Sequence, residues 1–139
     1  MTAHDCLSPP VPKVQAEAPL PEVLTALRFH AMACRSSARL DLFEACQVLA
    51  PDPKIAADAY GIALVRTLPH ALNRGVHLRR PGAEPNFDEI WLMRVIERSK
   101  HQDDDSLSFL IMSRVPDGRR HAFLHLVNGL ARTLREAAA

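Results

Sequence analysis

The sequence predicts an all-α protein, a single domain of five or six helices in irregular orthogonal or bundle-like packing. Three observations lead there. None of the eleven prolines falls inside four stretches, roughly 22–50, 53–68, 86–115 and 117–137, apart from Pro53 at the first position of its own. Within those stretches the apolar residues return at helical rather than strand spacing. Runs that favour a pleated sheet are scarce. At 139 residues, 47% hydrophobic and 24% charged, the chain has the apolar material for one core, and one domain is the default.

Residues 1–19 read as a Pro-rich disordered tail preceding a helical domain over 20–139, because Pro9, Pro10, Pro12 and Pro19 stand among polar residues that bury little. A short polyproline docking motif is the alternative reading of that segment. The first helix is expected over Leu20–Ala50. Val23, Leu24, Leu27, Ala31, Cys34, Ala38, Leu42, Ala45 and Leu49 keep one face, while Phe29, Met32, Leu40 and Phe43 gather on another. The helix is therefore either covered on two sides or bent at Ser36-Ser37.

Asp52 as N-cap and Pro53 at the first helical position open a second helix, Pro53–Leu68, apolar nearly all round and so expected at the centre. Gly61 would admit a neighbouring helix, and Pro69 should end or kink the segment. From His70 to Pro85 the periodicity stops, and a surface loop is expected. Asn86 with Glu89 three places on forms a capping box for a helix Phe87–Lys100 carrying Trp91, Leu92, Val95 and Ile96 inward. Asp103, Asp104 and Asp105 then break the chain and suit the positive end of a helix Ser106–Val115, whose Leu107, Phe109, Leu110, Ile111 and Met112 are expected to be buried on most sides. Pro116-Asp117-Gly118 punctuates again before a last helix, Arg119–Glu136.

Seventeen Lys plus Arg against sixteen Asp plus Glu leave no global field to draw the protein onto nucleic acid or an acidic membrane. No apolar run approaches the roughly twenty residues that span a bilayer, and the start lacks the pattern of a secretory signal. Cys6, Cys34 and Cys46 make an odd count with no Cys-x-x-Cys, a poor disulfide framework that fits a reducing cytoplasm. Only five glycines, widely spaced, exclude a phosphate-cradling loop, and there is no Gly-x-Ser-x-Gly. The acidic groups Asp41/Glu44, Asp88/Glu89 and Asp103–Asp105 lack the pattern of a calcium loop and read as solvated caps.

His121 and His125, four apart on one helix, are the sharpest candidate metal ligands. They share a polar stripe with Asn128, Arg132 and Arg135 opposite Phe123, Val127, Leu130 and Leu134, so they should face water, and no glutamate completes a His-Glu-x-x-His motif. His30 and Cys34 repeat the spacing, but a core cysteine beside a satisfied histidine accounts for them. The second candidate is basic. Arg66, Arg74, Arg79 and Arg80 have no acid among them, and Arg114, Arg119, Arg120, Arg132 and Arg135 could extend the surface if the loop folds over the last helix. Arg74, Arg79, Arg80, Arg119, Arg120 and Arg132 are the residues expected to bind an anion or a partner.

The favoured reading is a small cytoplasmic, non-catalytic interaction or regulatory domain that needs no cofactor and binds a protein, with self-association suggested by the apolar cover on 53–68 and 106–115. A nucleic-acid or phosphate binder using the Arg66–Arg80 and Arg119–Arg135 surface is the alternative. A metal- or cofactor-dependent helical enzyme built on His121, His125 and His30 is the third.

Overall fold

The computed structural model describes residues 19–36 and 46–138. Five α-helices run through these residues: α1 (Pro19–Ser36), α2 (Pro53–Leu72), α3 (Phe87–Lys100), α4 (Asp104–Arg114) and α5 (Arg120–Ala138). Single 3-10 turns, Gln47–Leu49 and Asp117–Arg119, precede α2 and α5. There is no strand among the described residues, so the expectation of one all-α domain holds. The tail over 1–18 and the stretch 37–45, where the first helix was expected to continue or bend, lie outside the described residues.

On α1 the predicted stripe Val23, Leu24, Leu27 and Ala31 is buried, whereas Phe29 and Met32 are exposed. The described part of this helix is therefore covered on one side. The α-helix does not run to Ala50 as expected: Gln47–Leu49 is a 3-10 turn, and Leu49 points to solvent.

Asp52 caps α2 by accepting from the Lys54 N–H at 3.0 Å, with Pro53 in the first turn, as the sequence implies. The helix does not stop at Leu68. It runs through Pro69 to Leu72 and ends at Asn73, whose φ of 58° is the left-handed conformation of a helix terminus. Pro69 forfeits one amide donor, but Ala71 and Leu72 just beyond it are buried, and their packing offsets that loss. The surface loop is thus 73–86, and even within it Leu78 is in the core.

α2 lies between α1 and α5, its largest contacts, and contributes Tyr60, Leu64, Val65 and Leu68 to a single apolar cluster that draws on all five helices. Two glycines set the spacing. A Cβ on Gly129 of α5 would stand 2.2 Å from Cε1 of Tyr60, and one on Gly61 of α2 would stand 3.1 Å from Cδ2 of His30. Leu92, Val95 and Ile96 of α3 are fully buried, and Trp91 stacks on Phe123 with ring centroids 5.7 Å apart.

The fold also contains a buried ion pair that the sequence reading missed. Arg28 on α1, 3% exposed, donates from Nε and Nη2 to the two oxygens of Glu89 on α3, 1% exposed, each at 2.9 Å. Its Nη1 donates to the Ala83 carbonyl at 2.9 Å. Glu89 accepts in addition from the backbone N–H of Arg79 at 2.8 Å and of Asn86 at 2.9 Å. The capping box is present, but its glutamate is not the solvated cap expected: it joins α1, the 73–86 loop and α3 in one saturated network.

Candidate functional site

The six arginines expected to bind an anion are mostly committed within the chain. Arg74 makes a two-pronged pair with Asp88, which also takes Arg114 at 3.1 Å. Arg79 donates to the Glu84 carbonyl at 2.9 Å and Arg119 to the His70 carbonyl at 2.8 Å. Arg120 donates to the Val115 carbonyl at 2.8 Å and pairs with Asp117. Arg132 lies 5.7 Å over the Tyr60 ring and donates to its hydroxyl at 3.3 Å. Arg80 is exposed, with no such partner among the described residues. Of the loop arginines only Arg74 meets a carboxylate, Asp88, which it shares with Arg114, and Arg119 of the second group reaches back to the end of α2.

His121 and His125 are both exposed on α5, as their wheel position requires, and His125 meets the edge of the Tyr60 ring, centroids 6.4 Å apart. The remainder of the stripe stays accessible but is tied to neighbouring helices. Asn128 accepts from Ser99 Oγ at 2.6 Å, and Arg135 donates to the carbonyls of Ser99 and Lys100 at the end of α3, each at 3.2 Å. Among the described residues no three His, Cys, Asp or Glu side chains group as a metal site would require.

His30 packs on Gly61 and lies 3.6 Å from Asp58. Burial lowers its pKa, and the Asp58 carboxylate only partly reverses this. Cys34 is a half-buried free thiol in an apolar recess of about 160 Å³ with Val65, Leu68 and Val76.

The most distinctive surface lies on the α3–α4 hairpin. Arg98 near the end of α3 pairs with Asp103 at the start of α4, and Arg114 at the end of α4 lies 4.7 Å over the Phe87 ring at the start of α3. The two helices are therefore antiparallel neighbours, joined further by Trp91 Nε1 donating to the Leu110 carbonyl at 3.0 Å. Leu92, Val95, Ile96 and Ser99 turn one face of α3 inward, and Leu107 and Ile111 do so on α4. The opposite faces are not polar. Phe87 and Phe109 are each 72% exposed, Met112 59% and Ile90 40%. Burial of α4 on most sides was expected, and the structure corrects that: Phe109 and Met112 face water because a helix of 11 residues meets the core along one edge only.

Between the helices runs an open groove of about 530 Å³, walled by Arg94, Glu97 and Arg98 of α3 and by Asp105, Ser106 and Phe109 of α4. Arg98 is held by Asp103 at 3.3 Å and Glu97 at 3.6 Å. Arg94 and Asp105, on opposite walls, are exposed and have no partner among the described residues. The sequence did carry a signal for this face: on a helical wheel Phe87, Ile90 and Arg94 fall opposite Leu92, Val95 and Ile96, an apolar pair where only polar residues are needed.

No helix among the described residues is long and apolar enough to cross a membrane. No protein-family model, curated protein or solved structure matches the chain.

Proposed function

We propose that this chain is a small non-catalytic helical domain that works by binding protein, in a regulatory role, through the outward face of the α3–α4 hairpin. The observation that carries the proposal is the exposure of Phe87, Ile90, Phe109 and Met112 on two adjacent antiparallel helices, beside a groove with charge at its rim. Large apolar side chains gathered on one surface, rather than scattered singly, mark interaction sites. α2, the other helix suspected of carrying excess apolar cover, is packed centrally and leaves mainly Ile55 outside. The free thiols of Cys34 and Cys46 are in keeping with a cytoplasmic location.

The anion-binding reading ranks behind, because five of the six proposed arginines are engaged with carboxylates, carbonyls or Tyr60. Photo-crosslinking separates the two. A photoreactive phenylalanine analogue at position 109 should give discrete protein adducts that survive high salt, while the same analogue at position 121 gives none. Equal labelling from both positions, or retention of nucleic acid that vanishes steeply with salt, would refute the proposal.

A further inference from the structure

We infer that the occupant of this face is a second copy of the chain, docked about a two-fold axis so that Phe109 of each protomer enters the groove of the other. The inference rests on the interaction reading above and specifies its partner.

The groove is complementary to itself. Its α3 wall presents the cation of Arg94 and its α4 wall the anion of Asp105 beside the ring of Phe109, and neither charge has a partner among the described residues. A two-fold axis places the same surface patch on both subunits, so a contact from residue i to residue j is repeated from j to i. Laying α3 of one protomer against α4 of the other then sets Arg94 beside Asp105 of the partner subunit and, by symmetry, Asp105 beside Arg94 of the partner subunit. Both charges that lack a partner among the described residues gain one across the axis. Phe109 and Leu110, the apolar residues that line the groove, supply the apolar part of the contact and Arg94 and Asp105 its charges, the combination that specific interfaces use.

A purely acidic or purely basic partner fits less well. It would satisfy one wall and oppose the other, and such like-charge contacts discriminate strongly between partners. Nothing in this arrangement needs α1 or the 73–86 loop, so the dimer can dissociate into intact protomers. It is therefore expected to be reversible and dependent on concentration rather than obligatory.

Sedimentation velocity on the full chain across the micromolar range tests the proposal. The wild type should shift from monomer to dimer as concentration rises. Phe109→Asp, which alters an exposed side chain, should remain monomeric at every concentration with an unchanged thermal midpoint. Arg94→Asp and Asp105→Arg should each weaken dimerisation at least tenfold. An equimolar mixture of those two variants should recover it, because the mixed dimer restores both cross-axis pairs. A wild type that stays monomeric, or a mixture no better than its components, overturns the two-fold proposal. If the wild type is monomeric and position 109 still crosslinks to a different protein, the dimer fails while the interaction reading stands. If neither dimer nor crosslink appears, both fall.

Discussion

Glu89→Gln exchanges one carboxylate oxygen for an amide NH₂ and removes one charge, and the surroundings of Glu89 determine what that costs. Oε1 accepts from Arg28 Nη2 and from the Asn86 N–H; Oε2 accepts from Arg28 Nε and from the Arg79 N–H, all four at 2.8–2.9 Å. Whichever oxygen is replaced, the new NH₂ group points at two N–H donors that have no other acceptor in reach. The Arg28 guanidinium, 3% exposed, is left without a counter-charge. Removing one partner of a buried pair costs about 3–5 kcal/mol. That is a large share of the roughly 5–15 kcal/mol that holds a domain folded. With a urea slope of about 2 kcal/mol per molar, the unfolding midpoint should fall by about 2 M. Urea titration followed by circular dichroism at neutral pH reads this directly. In an Arg28→Met background, where no buried cation remains, the same Glu89→Gln change should cost less than about 1 kcal/mol. A midpoint loss below about 0.5 M in the wild-type background, or equal losses in both, would refute the reasoning.

Acid should act on the same network. Burial pushes the Glu89 pKa up, but the hydrogen bonds from Arg28 and from the Asn86 and Arg79 backbones outweigh it, so the net displacement is downward. Asp88 is held low chiefly by its hydrogen bonds from Arg74, with Arg114 adding to them. Because both folded-state values lie below the unfolded ones, the stability they contribute is complete above the unfolded carboxylate range and is lost as pH falls through the depressed values. His30, also lowered, begins to lose its contribution first, below its ordinary value of 6.5. The urea midpoint should therefore decline gently below about pH 6.5 and steeply below about pH 4, the steep part being reduced in Glu89→Gln. Gly129→Ala should lose about 1–3 kcal/mol in a thermal or urea melt, since the new methyl collides with the buried Tyr60 ring. Gly75→Ala, with nothing within 4 Å of the added Cβ, should stay within about 0.5 kcal/mol of wild type. Asn86→Ala removes the α3 N-cap and a bond to the His77 carbonyl, and should cost about 1–2 kcal/mol by the same assay.

Where a rule depends on a few neighbouring residues, the chain could be read correctly. α3 has the predicted bounds, Phe87–Lys100, because the Asn86–Glu89 capping box is a local device. The same glutamate shows where such reading stops: four residues suffice to recognise a cap, but its burial depends on Arg28, 61 positions away. α2 does not end at Pro69, because the burial of Ala71 and Leu72 beyond it offsets a penalty that is local to the proline. For Ser106–Val115 the error was one of direction. Apolar content alone does not give the direction of burial: only Leu107 and Ile111 face the core, and Phe109 and Met112 belong to the candidate site. Of the two interior helix glycines, Gly61 was recognised as a place of close approach, and Gly129, with its tighter contact to Tyr60, was not. Composition could not rank them. The committed arginines were likewise invisible, since their acceptors are mostly backbone carbonyls, which sequence does not distinguish.

The clasp between Arg28 and Glu89 also governs the order in which the protein can be made. A ribosome adding roughly 5–20 residues per second needs about 3–12 s to traverse the 61 positions that separate the two. Throughout that interval Arg28 has yet to meet its carboxylate, while the apolar stripe beside it can already pack on α2, the larger of its neighbours.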